Sequence, residues 1–247
     1  MNILVCISRV PDTATKVQIG ADGKTIESKG VKFVVNPYDE FAIEEGLRLR
    51  EKNSGTTITA VVLGTDAAKD VLRTALAMGV DKAVLIKCDE VKDSNFVAKN
   101  LADYAKELNP DLILLGRQSI DYDSLQMPAM LGEMLEMPSV SVVSKLDIDG
   151  TNVKAERDIE GGKEIVETSL PALISCQKGL NEPRYPKLPD IMKAKSKPIE
   201  EKEAQNHDEL VTVVEMTMPS KARAGKILGG DDIDELVRLL HEEAKVI

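Results

Sequence analysis

The sequence is poor in the residue types that most often perform chemistry. It contains no tryptophan, two histidines and three cysteines in 247 residues. His207 and His241 both stand in polar C-terminal segments, which argues against a histidine-based catalytic site or a zinc site. Cys6, Cys88 and Cys176 are far apart and lie in apolar stretches. We therefore expect them to be buried, reduced thiols.

Long apolar runs and an excess of positive charge are also missing. No run approaches the roughly 18 apolar residues that a membrane-spanning helix needs. The formal net charge of -10 argues against nucleic acid as a general partner. Residues 1–12 have the pattern of a buried strand and lack the basic and apolar regions of a leader peptide. We expect a cytoplasmic protein with no membrane insertion and no nucleic-acid partner.

Strand and helix patterns alternate through the first half of the chain. Apolar runs predict strands, and apolar residues at helical spacing predict the helices between them. The predicted strands are residues 2–7, 31–35, 57–63, 82–86 and 112–115, with a hairpin at 16–27. The predicted helices are residues 38–52, a segment capped by Thr65 or Asp66 and ending at Gly79, 94–108 and 124–136. This alternation predicts an α/β fold with a doubly wound, mostly parallel sheet.

The second half has a different character. Four further strands, at 139–146, 152–158, 164–169 and 172–175, predict a β-rich extension of the sheet. Prolines and charged residues then dominate, and no amphipathic segment is predicted before a final helix at 232–245. We divide the chain into an α/β domain, 1–179, and a long extended C-terminal arm, 180–247. An arm of this length typically lies on a partner chain.

In a doubly wound sheet, ligands bind outside the C-terminal ends of the strands. We call the segments expected there the loop ring: residues 8–13, 35–39, 64–66 and 116–127. Helix N-termini predicted at Pro37, Thr65 and Asp123 would offer backbone N–H groups to an anion. This arrangement favours a nucleotide or another phosphate ligand.

The loop ring limits the charge of such a ligand. The sequence has neither GxGxxG nor GxxxxGK[ST], and the ring contains no lysine, only Arg9 and Arg117 as cations. A monophosphate therefore fits better than a metal-bound triphosphate.

Residues 116–123 form the most polar part of the ring. Their amides and side chains are suited to hold a nucleotide, and the alternative is a solvated loop in which Asp123 caps the next helix. Asp121 and Asp123 lack histidine, cysteine or metal partners, so we predict no catalytic residue here. On the predicted helix 38–52, Glu44 and Arg48 have the spacing of a solvated, ion-paired face.

Three segments together resemble the beta subunits of electron-transfer flavoproteins. The first reads VNPYDEFAIEE at 35–45 and is followed by RTALAMG at 73–79. The second is GRQSID at 116–121 with Gln126. The third reads AERDIEGGKEIV at 155–166 and continues as PALIS at 171–175.

The resemblance implies a nucleotide-holding half of a heterodimer. The alpha subunit would carry most of the redox FAD site, and this chain would hold a structural AMP. The implied AMP contacts are Cys6, Asn36, Pro37, Tyr38, Asp39, Leu63, Gly116, Arg117, Gln118, Ser119, Ile120, Asp121, Tyr122, Asp123, Ser124, Leu125, Gln126 and Met127. The sequence departs from many relatives at Ser8, where they carry lysine, and at Met127-Pro128, where they carry a small or hydroxyl residue and glycine.

Residues 180–195, which we call the recognition segment, resemble the family's docking loop for acyl-CoA and related flavin dehydrogenases. By this resemblance Leu188 is the apolar anchor of a transient contact. The implied docking residues are Tyr185, Leu188, Pro189, Ile191 and Met192.

The resemblance therefore implies an electron carrier that is not an enzyme on its own. A bifurcating relative, with a second FAD in place of AMP and NADH oxidation, is the alternative. Such relatives tend to lose the stretch LPDIMKAK, which is intact here at 188–195. A free-standing nucleotide-binding or nucleotide-hydrolysing domain is the third reading, and the long arm argues against it.

Overall fold

The computed structural model describes residues 1–89, 92–219 and 225–247. Residues 220–224, which belong to the predicted arm, lie outside the described part. The strands are β1 (Asn2–Cys6), β2 (Arg9–Pro11), β3 (Phe33–Val35), β4 (Thr57–Gly64), β5 (Lys82–Lys87), β6 (Leu112–Gly116), β7 (Ser139–Asp149), β8 (Asn152–Ile159), β9 (Gly162–Ser169), β10 (Ala172–Cys176) and β11 (Glu200–Glu203). The helices are α1 (Pro37–Lys52), α2 (Lys69–Met78), α3 (Ser94–Leu108), α4 (Met127–Met134), α5 (Leu188–Ser196) and α6 (Ile233–Arg238). A 3-10 turn at Asp66–Ala68 precedes α2, and a π-helical turn at Leu239–Ala244 follows α6.

Nine strands form one sheet in the order β11-β5-β4-β1-β6-β10-β7-β8-β9. The strands from β11 to β7 pair in parallel, while β7, β8 and β9 form an antiparallel extension. Strands β2 and β3 form a separate antiparallel pair. The predicted mostly parallel sheet with a β-rich extension is confirmed.

Apolar runs place the strands in the middle of the molecule. Ile3, Leu4 and Val5 of β1 are fully buried, and all five residues of β6 are buried as well. They are buried because helices cover both faces of these strands. Residues of α1 and α2 pack in the core on one face, and residues of α3 and α4 pack on the other. The strand order reverses between β1 and β6, so the doubly wound arrangement has its switch point there.

Two predicted segments differ from the structure. Helix α4 begins at Met127 instead of residue 124, because Asp123 and Leu125 adopt left-handed backbone conformations with φ of 51° and 55°. A helix cannot start through such residues. The predicted hairpin at 16–27 contains a single antiparallel bridge, between Ile19 and Ile26.

The arm has more regular structure than expected. Helix α5 lies on α2, and β11 adds a parallel edge strand beside β5. The prediction that no amphipathic segment precedes residue 232 is therefore wrong. Within the described residues, no helix combines the length and apolar character needed to span a membrane.

Candidate functional site

Asp39 joins two strand ends of the loop ring. The backbone N–H of Ser8 donates to Asp39 Oδ2 at 2.7 Å, and the backbone N–H of Gly116 donates to Oδ1 at 2.9 Å. The side chain is 3% exposed. Burial raises the pKa of Asp39 to about 7, although the hydrogen bonds from Asn36, Ser8 and Gly116 act in the opposite direction. One carboxyl group thus holds the ends of β1 and β6 together at the switch point.

Asn36 ties the start of α1 to the polar loop. Its Nδ2 donates to the carbonyl of Gln118 at 2.9 Å, and its Oδ1 accepts from the backbone N–H of Ile120 at 3.2 Å. Asn36 is fully buried, and its backbone N–H donates to the carbonyl of Ser8 at 3.0 Å. The side-chain amide therefore makes backbone-like contacts that fix the path of the loop after β6.

Gly116, at the end of β6, lies close against the start of α1. A Cβ at this position would lie 2.6 Å from Tyr38 Cβ, which is closer than carbon atoms pack. Glycine is therefore required for the loop to turn over the helix start. The next residue, Arg117, places its guanidinium carbon 5.1 Å from the centre of the Tyr38 ring.

Two polar atoms of this loop are buried without a hydrogen-bond partner among the described residues. They are Arg117 Nε, a donor, and Gln118 Oε1, an acceptor. Buried polar groups in folded proteins are nearly always paired, so these two atoms have hydrogen-bonding capacity left for a bound molecule. The other cation of the loop ring, Arg9, is already compensated by Asp70 at 3.0 Å and lies over Phe33.

The second half of the loop is open to solvent. Asp121 and Tyr122 are exposed, with Tyr122 at 59%. Asp123 accepts a hydrogen bond from Gln118 Nε2 and does not cap a helix, because the N-cap of α4 is Gln126. The helix N-terminus predicted at Asp123 is therefore wrong, and so is the alternative in which Asp123 caps that helix.

Gln126 Nε2 donates to Ser94 Oγ at 2.7 Å, which links the loop to the start of α3. Sequence reasoning missed Ser94, since nothing in its local pattern separates it from an ordinary helix start. The remaining predicted contacts of this loop differ in exposure. Ser119 and Ile120 are half-buried, Ser124 and Leu125 are exposed, and Met127 begins α4.

Two of the predicted AMP contacts, Cys6 and Leu63, lie on strands of the sheet and not in the loops. Cys6 ends β1 and is 6% exposed, and Leu63 is half-buried near the end of β4. Burial, together with the nearby Asp39 charge, raises the pKa of the Cys6 thiol well above its usual range. Cys6 is therefore a neutral packing group. Cys176 is also a buried free thiol, as expected, whereas Cys88 is only partly buried.

The recognition segment presents apolar side chains to solvent. Tyr185 is 94% exposed, Leu188 72% and Met192 59%. Ile191 and Pro189 are exposed as well. Helix α5 starts at Leu188, so these side chains project from a helix and the turn before it.

The segment is fixed to α1 through residues that we predicted to be solvated. Glu44 is 5% exposed and accepts from Arg184, and Glu45 is 3% exposed and accepts from Asn181. The predicted solvated face on α1 is therefore wrong, and Arg48 pairs with Glu45 at 3.5 Å instead of with Glu44. These partners stand 136 to 140 positions away in the sequence, so no local pattern could reveal them.

The chain has clear similarity to known proteins. The electron transfer flavoprotein domain family matches residues 24–207. The chain is 45% identical over 260 residues to the electron transfer flavoprotein subunit beta of Bacillus subtilis (strain 168), with all of both chains covered. It is 41% identical over 255 residues to the mitochondrial subunit beta of Oryza sativa subsp. japonica, again over all of both chains. It is 35% identical over 254 residues to the subunit beta of Mus musculus, covering 100% of this chain and 99% of that one. The chain therefore belongs to the family of electron transfer flavoprotein beta subunits.

Proposed function

We propose that this chain holds AMP in its loop ring as one half of a cytoplasmic heterodimeric electron carrier. The partner is an alpha subunit that carries most of the FAD site. The observation that carries the AMP assignment is the pair of buried, unpartnered atoms, Arg117 Nε and Gln118 Oε1, beside the start of α1. A donor and an acceptor on consecutive residues suit a nucleotide, which offers phosphate oxygens as acceptors and a base with donors.

The charge of the ring supports a monophosphate. Arg9 is paired with Asp70, which leaves Arg117 as the cation through which the loop would meet a phosphate. The N-terminus of α1, at Pro37, adds the positive end of a helix dipole. A triphosphate with its metal ion would need more positive charge than these groups provide.

The exposed recognition segment supports docking of flavin dehydrogenases. Exposed apolar side chains as large as Tyr185, Leu188 and Met192 mark binding surfaces on soluble proteins. Lys187, Lys193 and Lys195 surround them and would favour a partner with an acidic rim. When bound, FAD supplies the electron chemistry, and the residues of this chain orient the partners and hold the nucleotide.

Analysis of the bound nucleotides tests this proposal. The chain is co-expressed with its alpha subunit, the heterodimer is purified, and acid-released ligands are quantified by chromatography and mass spectrometry. We expect one FAD and one AMP per heterodimer. Two FAD and no AMP would show that the loop ring holds a second flavin, and the bifurcating function with NADH oxidation would replace the carrier function.

A substitution at the anchor tests the docking surface separately. Leu188→Ala should slow electron transfer from an acyl-CoA dehydrogenase while the AMP and FAD contents stay unchanged. Ile165→Ala is the matched control, because Ile165 is also exposed, at 61%, but lies on β9, outside the recognition segment. Transfer that Leu188→Ala leaves unchanged would contradict the docking assignment.

A further inference from the structure

The recognition segment keeps its apolar side chains away from the core, although burying them would be favourable. Tyr185 and Leu188 are 94% and 72% exposed, whereas Ala194, near the end of the same segment, is 1% exposed. The backbone on either side of residues 185–193 must therefore be held firmly enough to prevent collapse onto the protein. Two arginines, one at each end, make the contacts that can do this.

Arg184 fixes the first end to α1. Its Nε and Nη2 donate to the two carboxylate oxygens of Glu44 at 2.7 and 2.8 Å, and its Nη1 donates to Glu51 at 2.8 Å. Its backbone N–H also donates to Glu44, at 3.2 Å. A forked contact of this kind sets direction as well as distance, and Glu44 is almost fully buried.

Asn181 strengthens the same end. Its Nδ2 donates to Glu45 Oε2 at 2.9 Å and to the carbonyl of Phe41 at 3.0 Å. Arg48 donates to the carbonyl of Leu180 at 3.2 Å. The chain is therefore tied to consecutive turns of α1 immediately before it enters the exposed part.

Arg73 fixes the second end to α2. Its Nη1 donates to the carbonyl of Ala194 at 2.6 Å and also to the carbonyl of Lys197. These carbonyls belong to the last turn of α5 and the residue that follows it, where a helix leaves carbonyls to be satisfied from outside. The Ala194 carbonyl also accepts from the backbone N–H of Lys197 at 3.3 Å. The ammonium group of Lys197 in turn donates to the carbonyl of Val80 at 3.3 Å.

We propose that Arg184 and Arg73 are positioning residues that clamp the recognition segment at both ends and so preorganise it for docking. Residues of α1 and α2 lie in one core cluster on the same face of the sheet, so the two clamps hold the segment against a common support. Preorganisation removes the ordering cost that a flexible loop would incur on binding. The inference rests on the proposed docking function and assigns to it two residues whose hydrogen bonds go to carboxylates and carbonyls of this chain.

Lysine substitutions test the clamps while keeping the charge. Arg184→Lys loses the fork to Glu44, and Arg73→Lys loses the ability to reach two carbonyls through a planar guanidinium. Arg50→Lys is the matched control, because Arg50 also joins a carbonyl and a carboxylate, those of Gly79 and Asp81, but makes no hydrogen bond to the described residues of the arm.

The heterodimers are compared in steady-state transfer from an acyl-CoA dehydrogenase. We expect each clamp variant to raise the KM for the carrier about tenfold while kcat changes less than about twofold, because binding and not the transfer step loses support. AMP and FAD contents and reduction by dithionite should stay at wild-type values. Amide hydrogen exchange should become faster at residues 185–193 and remain unchanged at 116–127, and Arg50→Lys should alter none of these readouts.

Wild-type KM and wild-type exchange in both clamp variants would overturn the clamp inference alone, provided that Leu188→Ala still weakens transfer. A wild-type heterodimer that takes no electrons from acyl-CoA or related flavin dehydrogenases would overturn the docking function, and the inference with it. A fall in kcat together with loss of AMP would show a general structural role and would also overturn the inference.

Discussion

At the scale of single residues, Asp39 makes the stability of the loop ring depend on pH. Burial raises its pKa from 3.8 to about 7, so the folded chain holds a proton that the unfolded chain has already released in this range. The contribution of Asp39 to the free energy of unfolding is therefore largest below about pH 4 and falls as the pH rises to about 7.

Asp39→Asn should remove this decline, since the amide does not titrate. Urea unfolding of the wild type and the variant at about pH 5 and about pH 8 measures the difference. Asp147→Asn, at an exposed position on β7, should retain the wild-type pH dependence. The same decline in Asp39→Asn would show that another group is responsible.

Gly116 matters through the atoms that it lacks. Gly116→Ala would place a methyl group 2.6 Å from Tyr38 Cβ, so the loop after β6 must move away from α1. We expect the free energy of unfolding to fall by about 1–3 kcal/mol and the AMP content of the heterodimer to decrease. Gly162→Ala is the control, because a Cβ there meets nothing within 4 Å. Full AMP occupancy in Gly116→Ala would mean that the close approach is not needed for nucleotide binding.

At the scale of elements, strands and helices could be predicted wherever the signals are local. The predicted helix 94–108 agrees with α3, since Asp93 caps its start and Asn109, at φ 48°, ends it. The start of α4 could not be predicted, because Asp123 is an ordinary capping residue in sequence and reveals its left-handed backbone only in the structure. Helix α5 and strand β11 were missed because their stability comes from α2 and β5, which tertiary packing brings beside them.

Asp93 also joins α3 to the arm. Its Oδ1 caps α3 by accepting from the backbone N–H of Phe96, while its Oδ2 accepts from the backbone N–H groups of Leu210 at 2.7 Å and Val211 at 3.0 Å. Asp93→Ala should lower the free energy of unfolding by about 2 kcal/mol, since a cap and two further bonds are lost. Amide hydrogen exchange should also become faster at residues 208–211.

Thr65→Ala is the comparison for this experiment, because Thr65 accepts a single long bond, from Ala67 at 3.3 Å. Its effect should be within about 0.5–1 kcal/mol. An equal loss in the two variants would mean that the arm contacts of Asp93 contribute nothing.

At the scale of the whole molecule, topology made the loop ring predictable. Parallel strands bring their C-terminal ends to one edge of the sheet, so the loops after β1 and β6 could be placed together. Asn36 and Asp39 reach the same edge because β3, which precedes them, pairs with β2 directly after β1. The buried pairs of Glu44 with Arg184 and Glu45 with Asn181 could not be predicted, because strand order does not specify where an arm returns to the domain. Their identity depends on side-chain packing over about 140 positions.

After its contact with Asp93 at the start of α3, the arm exposes a run of apolar side chains that the proposed alpha subunit would cover. Val211 is 70% exposed and Val214 82%, and the chain is held there through Met216, whose N–H donates to the carbonyl of Gly23 at 2.8 Å.

Val214→Asp should leave the thermal stability of the isolated chain unchanged, because a substitution at so exposed a position alters few contacts. In the heterodimer it would bury an unpaired charge, so the affinity for the alpha subunit should fall at least about 100-fold. Val214→Ile keeps a β-branched apolar side chain without charge and should bind within about threefold of the wild type. Titration of each variant with the alpha subunit, followed by light scattering, measures the effect, and a stable 1:1 complex with Val214→Asp would place this part of the arm outside the interface.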